Sequence, residues 1–142
     1  MSGAFNGRTE VVERLLALDA EGRLGQSHLF VGPVGCGKEL TAFEVARLIN
    51  CRTPEACRAQ PACESCLKAR SFQHPDIRWI CPAPATISDS DVTSLFQAKR
   101  EDPFHQPAYA ASSEVLIGDP DKPGALTVRS VLQFLRMKPF QG

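Results

Sequence analysis

Apolar residues recur at helical spacing in four stretches of this chain and cluster into short runs in two more. Thr9 can cap a first helix reaching about residue 19, with Val12, Leu15 and Leu16 on its apolar face and Val11 and Leu18 beside them. Gly22 and Gly25 close that unit. Leu29, Phe30 and Val31 form a short apolar run that predicts a strand. A glycine-rich turn over residues 32–37 follows, then a helix from 38 to about 50. In that helix Leu40, Phe43, Ala46 and Ile49 recur every three residues, as a buried stripe would. Residues 51–66 mix cysteines with Pro54 and Pro61 and predict an irregular loop, to which 67–72 add a helical turn. A turn at His74-Pro75-Asp76 leads into a second short strand at 77–81, stopped by Pro82 and Pro84. Ser88 and Asp91 have capping-box spacing, so residues 89–100 read as a helix with Val92, Leu95 and Phe96 inward. Pro103 and Pro107 break it, and 114–117 predict a brief extended segment. Residues 118–124 form a loop, and a last helix begins near Thr127 and ends before Pro139. Its Val128, Val131, Leu132 and Leu135 share one face.

The order strand, glycine turn, helix puts chemistry at residues 32–40: Gly32, Pro33, Val34, Gly35, Cys36, Gly37, Lys38, Glu39 and Leu40. Glycines at 32, 35 and 37 let the backbone wrap an anion closely, and a helix starting at Lys38 aims its N-terminus at the same point. Lys38 would set an ammonium against the β- and γ-phosphates of a nucleotide. This is P-loop architecture with one departure. Where a Ser or Thr hydroxyl should hold magnesium, the chain has Glu39, and Thr41 lies on another face of the helix. ATP with magnesium is the expected ligand, bound weakly and hydrolysed poorly. The simpler alternative is an ordinary glycine turn joining strand to helix.

With 142 residues, 43% of them apolar, the chain can form one modest domain. Sixteen basic and sixteen acidic residues balance, so net charge argues neither for nor against nucleic acid. No apolar run is long enough to span a bilayer, and the N-terminus lacks the features of a secretory signal, so a cytoplasmic protein without membrane contact is expected. Six cysteines in such a protein point to metal or free thiols before disulfides. Cys51, Cys57, Cys63 and Cys66 fall within sixteen residues. Four thiolates can surround zinc, and Cys63-x-x-Cys66 is a common knuckle, although the two five-residue gaps before it are loose. Scattered buried thiols or a redox pair are the alternatives to structural zinc. Cys36 and Cys81 read as packing residues, His28, His74 and His105 as surface or turn histidines, and Trp79 as a core or edge aromatic.

Together these motifs resemble one family. Gly7 after Phe5-Asn6, the run Arg23-Leu24-Gly25-Gln26-Ser27-His28-Leu29-Phe30, the glycine loop, Ala46-Arg47-Leu48-Ile49-Asn50-Cys51, the cysteine loop, His74-Pro75-Asp76-Ile77, and Val128-Arg129 with Lys138-Pro139-Phe140-Gln141-Gly142 occur in that order. The chain resembles the N-terminal part of bacterial DNA polymerase III clamp-loader subunits of the AAA+ class, delta-prime more than its ATPase relative gamma/tau. The resemblance implies an α/β fold: an incomplete P-loop AAA+ (RecA-like) nucleotide-binding domain with a zinc-binding loop inserted at 51–66 and an irregular insertion at 83–125. It carries residues 32–40 over as the nucleotide loop and the four cysteines as the zinc site, with Cys57 displaced from the family's usual spacing.

The implied role is loading the sliding clamp onto primed DNA, within a hetero-pentamer of related subunits and with little catalysis by this subunit. A degenerate P-loop is a delta-prime habit, and Glu39 fits it. In the family a segment like 138–142 leads into the Walker B strand, with the lid and collar domains later still. The expectation is therefore that residues 1–142 are an N-terminal part lacking lid and collar, marginally stable by themselves. A gamma/tau-type ATPase is the main alternative. A small P-loop phosphotransferase and a zinc-loop interaction module with a relic nucleotide loop are more distant ones.

Overall fold

Helix α1, Thr9–Ala20, forms where the apolar period predicts it. It ends in a Schellman turn: the Gly22 N–H donates to the Asp19 carbonyl at 2.9 Å and the Arg23 N–H to the Leu18 carbonyl at 2.8 Å. Gly22 takes the left-handed position that this turn requires, at φ 66°. Helix α2, Lys38–Ile49, starts directly after Gly37, itself left-handed at φ 72°. These observations come from a computed structural model that describes residues 9–61, 63–102, 104–111, 113–122 and 124–139. The remaining elements are α3 (Pro54–Ala59), α4 (Glu64–Arg70), α5 (Asp89–Glu101), a single 3-10 turn at Ala108–Ala111 and α6 (Val128–Leu135). The chain divides into two units, Met1–Leu67 and Lys68–Gly142.

In the first unit α1 lies on α2, and Val12, Val45 and Leu48 are buried with Leu15 and Leu16 packed around them. The buried face of α2 is therefore not the predicted stripe. Leu40, Thr41, Val45, Arg47 and Leu48 are buried, whereas Ile49 is exposed. This helix carries apolar residues on most of its circumference, so periodicity cannot choose a face until α1 docks. The cysteine stretch also departs from expectation, because it is not wholly irregular. Thr53-Pro54-Glu55 opens α3 with proline in its first turn, and α4 begins at Glu64.

The second unit is built around Cys81, Ala83, Val92, Leu95 and Leu126, with Trp79, Ile87, Phe96 and Tyr109 packed against them. The capping box of α5 forms as predicted. Ser88 accepts from the Asp91 N–H, and Asp91 accepts from the Ser88 N–H at 3.1 Å. Thr127 and Ser130 form a second box at the start of α6. The extended segment near 114–117 forms an isolated parallel bridge, Leu116 with Thr127, and its Glu114 carbonyl accepts from the Ala83 N–H at 3.4 Å. The first-turn N–H groups of Val128 and Arg129 donate to the carbonyls of Leu116 and Ile117 at 2.9 and 3.0 Å, which ties α6 to that segment. None of the residues of α6 is buried: of its predicted apolar face, Val128, Leu132 and Leu135 are exposed and Val131 is half-buried.

The predicted strands at 29–31 and 77–81 do not form, and the described residues contain no strand. Among them the α/β expectation is thus corrected to a mainly helical arrangement. An apolar run becomes a strand only when neighbouring backbones accept and donate its ladder bonds. Leu29 and Val31 are instead 87% and 83% exposed. At 77–81, by contrast, Trp79 and Cys81 are drawn into side-chain packing without any ladder.

Candidate functional site

The glycine loop keeps its predicted turn and helix although the strand before it is unpaired. Gly35 and Gly37 have φ of 77° and 72°, a region that side chains strongly disfavour. At Gly32 the constraint is space, because a Cβ would meet Cys36 Sγ at 2.8 Å. Lys38 folds back into the loop, donating through Nζ to the carbonyls of Gly32 at 2.8 Å and Pro33 at 2.7 Å. Cys36 Sγ lies 3.8 Å from the same nitrogen. Pro33 and Val34 form the exposed rim, and Leu40 anchors the first turn of α2 in the interior. The Thr41 hydroxyl is buried and donates to the Gly37 carbonyl at 3.0 Å, so it is not aimed at the loop as a magnesium ligand would be. Glu39 is exposed in the first turn of α2.

The second constellation is more deeply built. Cys51, Cys57, Cys63 and Cys66 bring their Sγ atoms within 4.8 Å of one another, a spacing that could hold a metal ion. Cys51 follows the end of α2, Cys57 lies on α3, Cys63 precedes α4 and Cys66 lies on α4. Cys57 and Cys66 have 1% and 0% of their surface exposed. None of the four is joined in a disulfide. Cys57 thus lies with the other three despite its unusual spacing. A tetrahedral zinc with Zn–S bonds of about 2.3 Å spaces its sulfurs by about 3.8 Å. The Cys51 and Cys63 sulfurs are 3.6 Å apart, so the donor set fits such an ion.

Local hydrogen bonds hold this arrangement. The Cys66 N–H donates to Cys63 Sγ at 3.4 Å, and Ser65 Oγ donates to the Asn50 carbonyl at 2.7 Å, joining α4 to the end of α2. Burial raises the Cys51 and Cys66 thiols above the ordinary range. For Cys66, hydrogen bonding with Cys51 and Cys63 adds to the effect and Arg47 opposes it.

Sequence reasoning missed Arg47. Its guanidinium is 2% exposed, donates through Nη1 to Cys66 Sγ at 3.0 Å and to the Cys57 carbonyl at 3.2 Å, and pairs with Glu44. Burial weakens the charged form, but the hydrogen bond and charge of Glu44 outweigh that and hold the guanidinium protonated. The available signal was an arginine four positions before Cys51 inside an otherwise apolar helix stretch.

The other candidates are placed more simply. Cys81 is core, and Trp79 stands in an aromatic group with Phe72 and Phe96 at centroid distances of 6.1 and 5.7 Å. His74 is buried, and its Nδ1 accepts from the Asp76 N–H at 3.1 Å. A ring nitrogen of His28 lies 2.9 Å from the Gly25 carbonyl. Among the described residues no helix is long and apolar enough to cross a membrane.

Comparison with known proteins places these features in a family. A profile described as DNA polymerase III, delta subunit, matches residues 7–122. DNA polymerase III subunit gamma/tau of Mycobacterium bovis is 44% identical over 52 residues, covering 37% of this chain and 9% of that protein. The Mycobacterium tuberculosis subunit of the same name matches equally. Protein STICHEL-like 4 of Arabidopsis thaliana is 29% identical over 97 residues, 67% of this chain and 10% of that protein. The chain thus spans about a tenth of the length of these curated relatives. No solved structure matches it. Because the profile covers most of the sequence, including the glycine loop and all four clustered cysteines, the chain belongs to the DNA polymerase III delta subunit family.

Proposed function

We propose that this chain serves in DNA replication as a delta-prime-like subunit of a clamp loader. In this reading it joins other clamp-loader subunits in a cytoplasmic hetero-pentamer that places the sliding clamp on primed DNA, with weak or no ATP hydrolysis of its own. The observation that carries the proposal is the family match across residues 7–122. In this reading the chain is part of an AAA+-type domain, and residues 32–40, a glycine turn leading into α2, are its nucleotide loop. The delta-prime assignment is supported by the chemistry of that loop. Gly32 through Lys38 retain the shape and charge suited to a phosphate tail, but Glu39 supplies a carboxylate where a magnesium-binding hydroxyl is needed, and Thr41 is turned to Gly37.

Cys51, Cys57, Cys63 and Cys66 are the residues that would hold zinc, and the ion's part there is structural. It would neutralise crowded thiolates and fasten two short helices to the end of α2. The 44% identity to gamma/tau subunits favours one second reading, an ATPase of that type.

Reconstitution with the other clamp-loader subunits separates the two. The delta-prime reading expects the chain to enter the assembly and Lys38→Ala to leave the assembly's DNA-stimulated ATP hydrolysis unchanged. A clear loss of hydrolysis with Lys38→Ala would transfer the assignment to the gamma/tau type, and failure to assemble would overturn both. Replacing Glu39 by Thr removes a charge facing the triphosphate and restores a hydroxyl. Magnesium-ATP affinity should rise roughly tenfold, measured by calorimetry.

A further inference from the structure

Arg47 is a fully buried cation, and nothing in the glycine loop calls for it. Burying a guanidinium is unfavourable unless charge and hydrogen bonds compensate it. Glu44 supplies part of the compensation, accepting from Nε at 2.8 Å and from Nη2. The third nitrogen, Nη1, points into the cysteine cluster, where it reaches Cys66 Sγ at 3.0 Å and the Cys57 carbonyl at 3.2 Å. A neutral thiol is a weak acceptor, whereas a thiolate is a strong one for a charged donor. Four thiolates on a divalent cation leave two excess negative charges in a site where Cys57 and Cys66 are almost wholly removed from water. A cation at hydrogen-bonding distance is what such a site needs.

We propose that Arg47 is the positioning and charge-compensating residue of the four-cysteine metal centre, holding Cys66 Sγ and tuning zinc affinity, with Glu44 setting how much of its charge the sulfurs feel. The inference rests on the reading of Cys51, Cys57, Cys63 and Cys66 as a zinc site. It also gives α2 two tasks: Lys38 at its start serves the glycine loop and Arg47 near its end serves the metal centre.

The test uses the purified full chain, kept reduced, with zinc affinity measured by competition against a chromophoric chelator and the ligand set read from the cobalt(II) spectrum. Arg47→Met keeps the bulk of the side chain but removes its donors and charge. It should weaken zinc by about 10- to 100-fold and move the thiolate-to-cobalt charge-transfer band to longer wavelength while the four-thiolate pattern persists. Arg47→Lys should recover part of the affinity. Glu44→Gln should tighten zinc severalfold, an outcome that a purely packing role for Arg47 does not produce. If wild-type protein takes up no zinc and shows no four-thiolate cobalt spectrum, the metal reading fails and this proposal with it. If wild type binds but Arg47→Met binds equally with an unshifted band, the proposal alone is overturned. Should Arg47→Met not fold, Glu44→Gln decides: tighter zinc supports the proposal, and unchanged or weaker zinc refutes it.

Discussion

Phe72 is the described non-glycine residue with a positive φ, 57°, and its position explains why. It occupies the left-handed site of a Schellman turn after α4: its N–H donates to the Ala69 carbonyl and the Gln73 N–H to the Lys68 carbonyl, both at 2.9 Å. Glycine usually fills that site. Phe72 is held there by its ring, which stacks on Phe96 at 5.6 Å and meets the edge of Trp79. Two costs therefore oppose each other at one residue. Phe72→Ala should lose about 2 kcal/mol of stability, since the aromatic contact goes and the strain stays. Phe72→Gly should lose about 1 kcal/mol less than alanine, because glycine accepts the left-handed backbone. Denaturant unfolding of the two variants measures the difference, and alanine equal to or better than glycine would refute this account. The sequence carries no sign of this arrangement. Nothing local distinguishes a phenylalanine that will tolerate positive φ, because the compensation comes from Trp79 and Phe96, further along the chain.

Among the elements, α5 is the one most fully legible in advance. Its capping box is written in Ser88 and Asp91, and its inward face in Val92, Leu95 and Phe96. The Ser88 hydroxyl and backbone N–H both donate to the Asp91 carboxylate, the hydroxyl at 2.6 Å, and hold it below the ordinary carboxylate value. A carboxyl depressed in the folded state contributes stability above its unfolded value, near 4, and the contribution is lost as pH falls through the folded value. Fraying of the first turn of α5 should thus begin only below about pH 4, and Asp91→Asn should remove that step. An NMR titration following the Ser88 and Asp91 amides would check it; a midpoint at or above the ordinary value would contradict the assignment. Pro54 and Glu55 are a helix-start pattern that marks α3, against the irregular loop that the surrounding cysteines and prolines suggest. For helix α2 the sequence marks the element but not its buried face. Its buried residues serve two inward directions, Val45 and Leu48 toward α1 and Arg47 toward the cysteines, and a single apolar stripe describes neither.

At the scale of the whole molecule, the described residues form three buried clusters of different make-up, one in the second unit and two in the first. The second unit has an aliphatic and aromatic core, and Lys99 Nζ sits 5.2 Å over the Trp79 ring. In the first unit Val12, Val45 and Leu48 make a small apolar core, and the cysteine cluster stands as a separate one. If zinc organises that second cluster, a strong chelator should release α3 and the start of α4 while the contacts between α1 and α2 remain. The expected record is a partial loss of helical circular dichroism and new tryptic cleavage at Arg52 and Arg58, both reversed by added zinc. Cleavage that is the same with and without chelator would show that the cluster holds itself together without metal.

The glycine turn, the helix that follows it, the cap of α5 and the grouping of four thiols were all determined by sequence alone, because each depends on residues close together in the chain: backbone angles that only glycine readily adopts, a side chain reaching the next turn, ligands within one short stretch. The fate of the apolar runs at 29–31 and 77–81, the buried side of α2, the exposed face of α6 and the reach of Arg47 into the cysteine centre were settled only in three dimensions. The physical reason is common to them. A strand needs a neighbouring backbone, a helix face needs a docking surface, and a buried charge needs its counterpart, and in each case the partner lies elsewhere in the chain or in the surrounding packing.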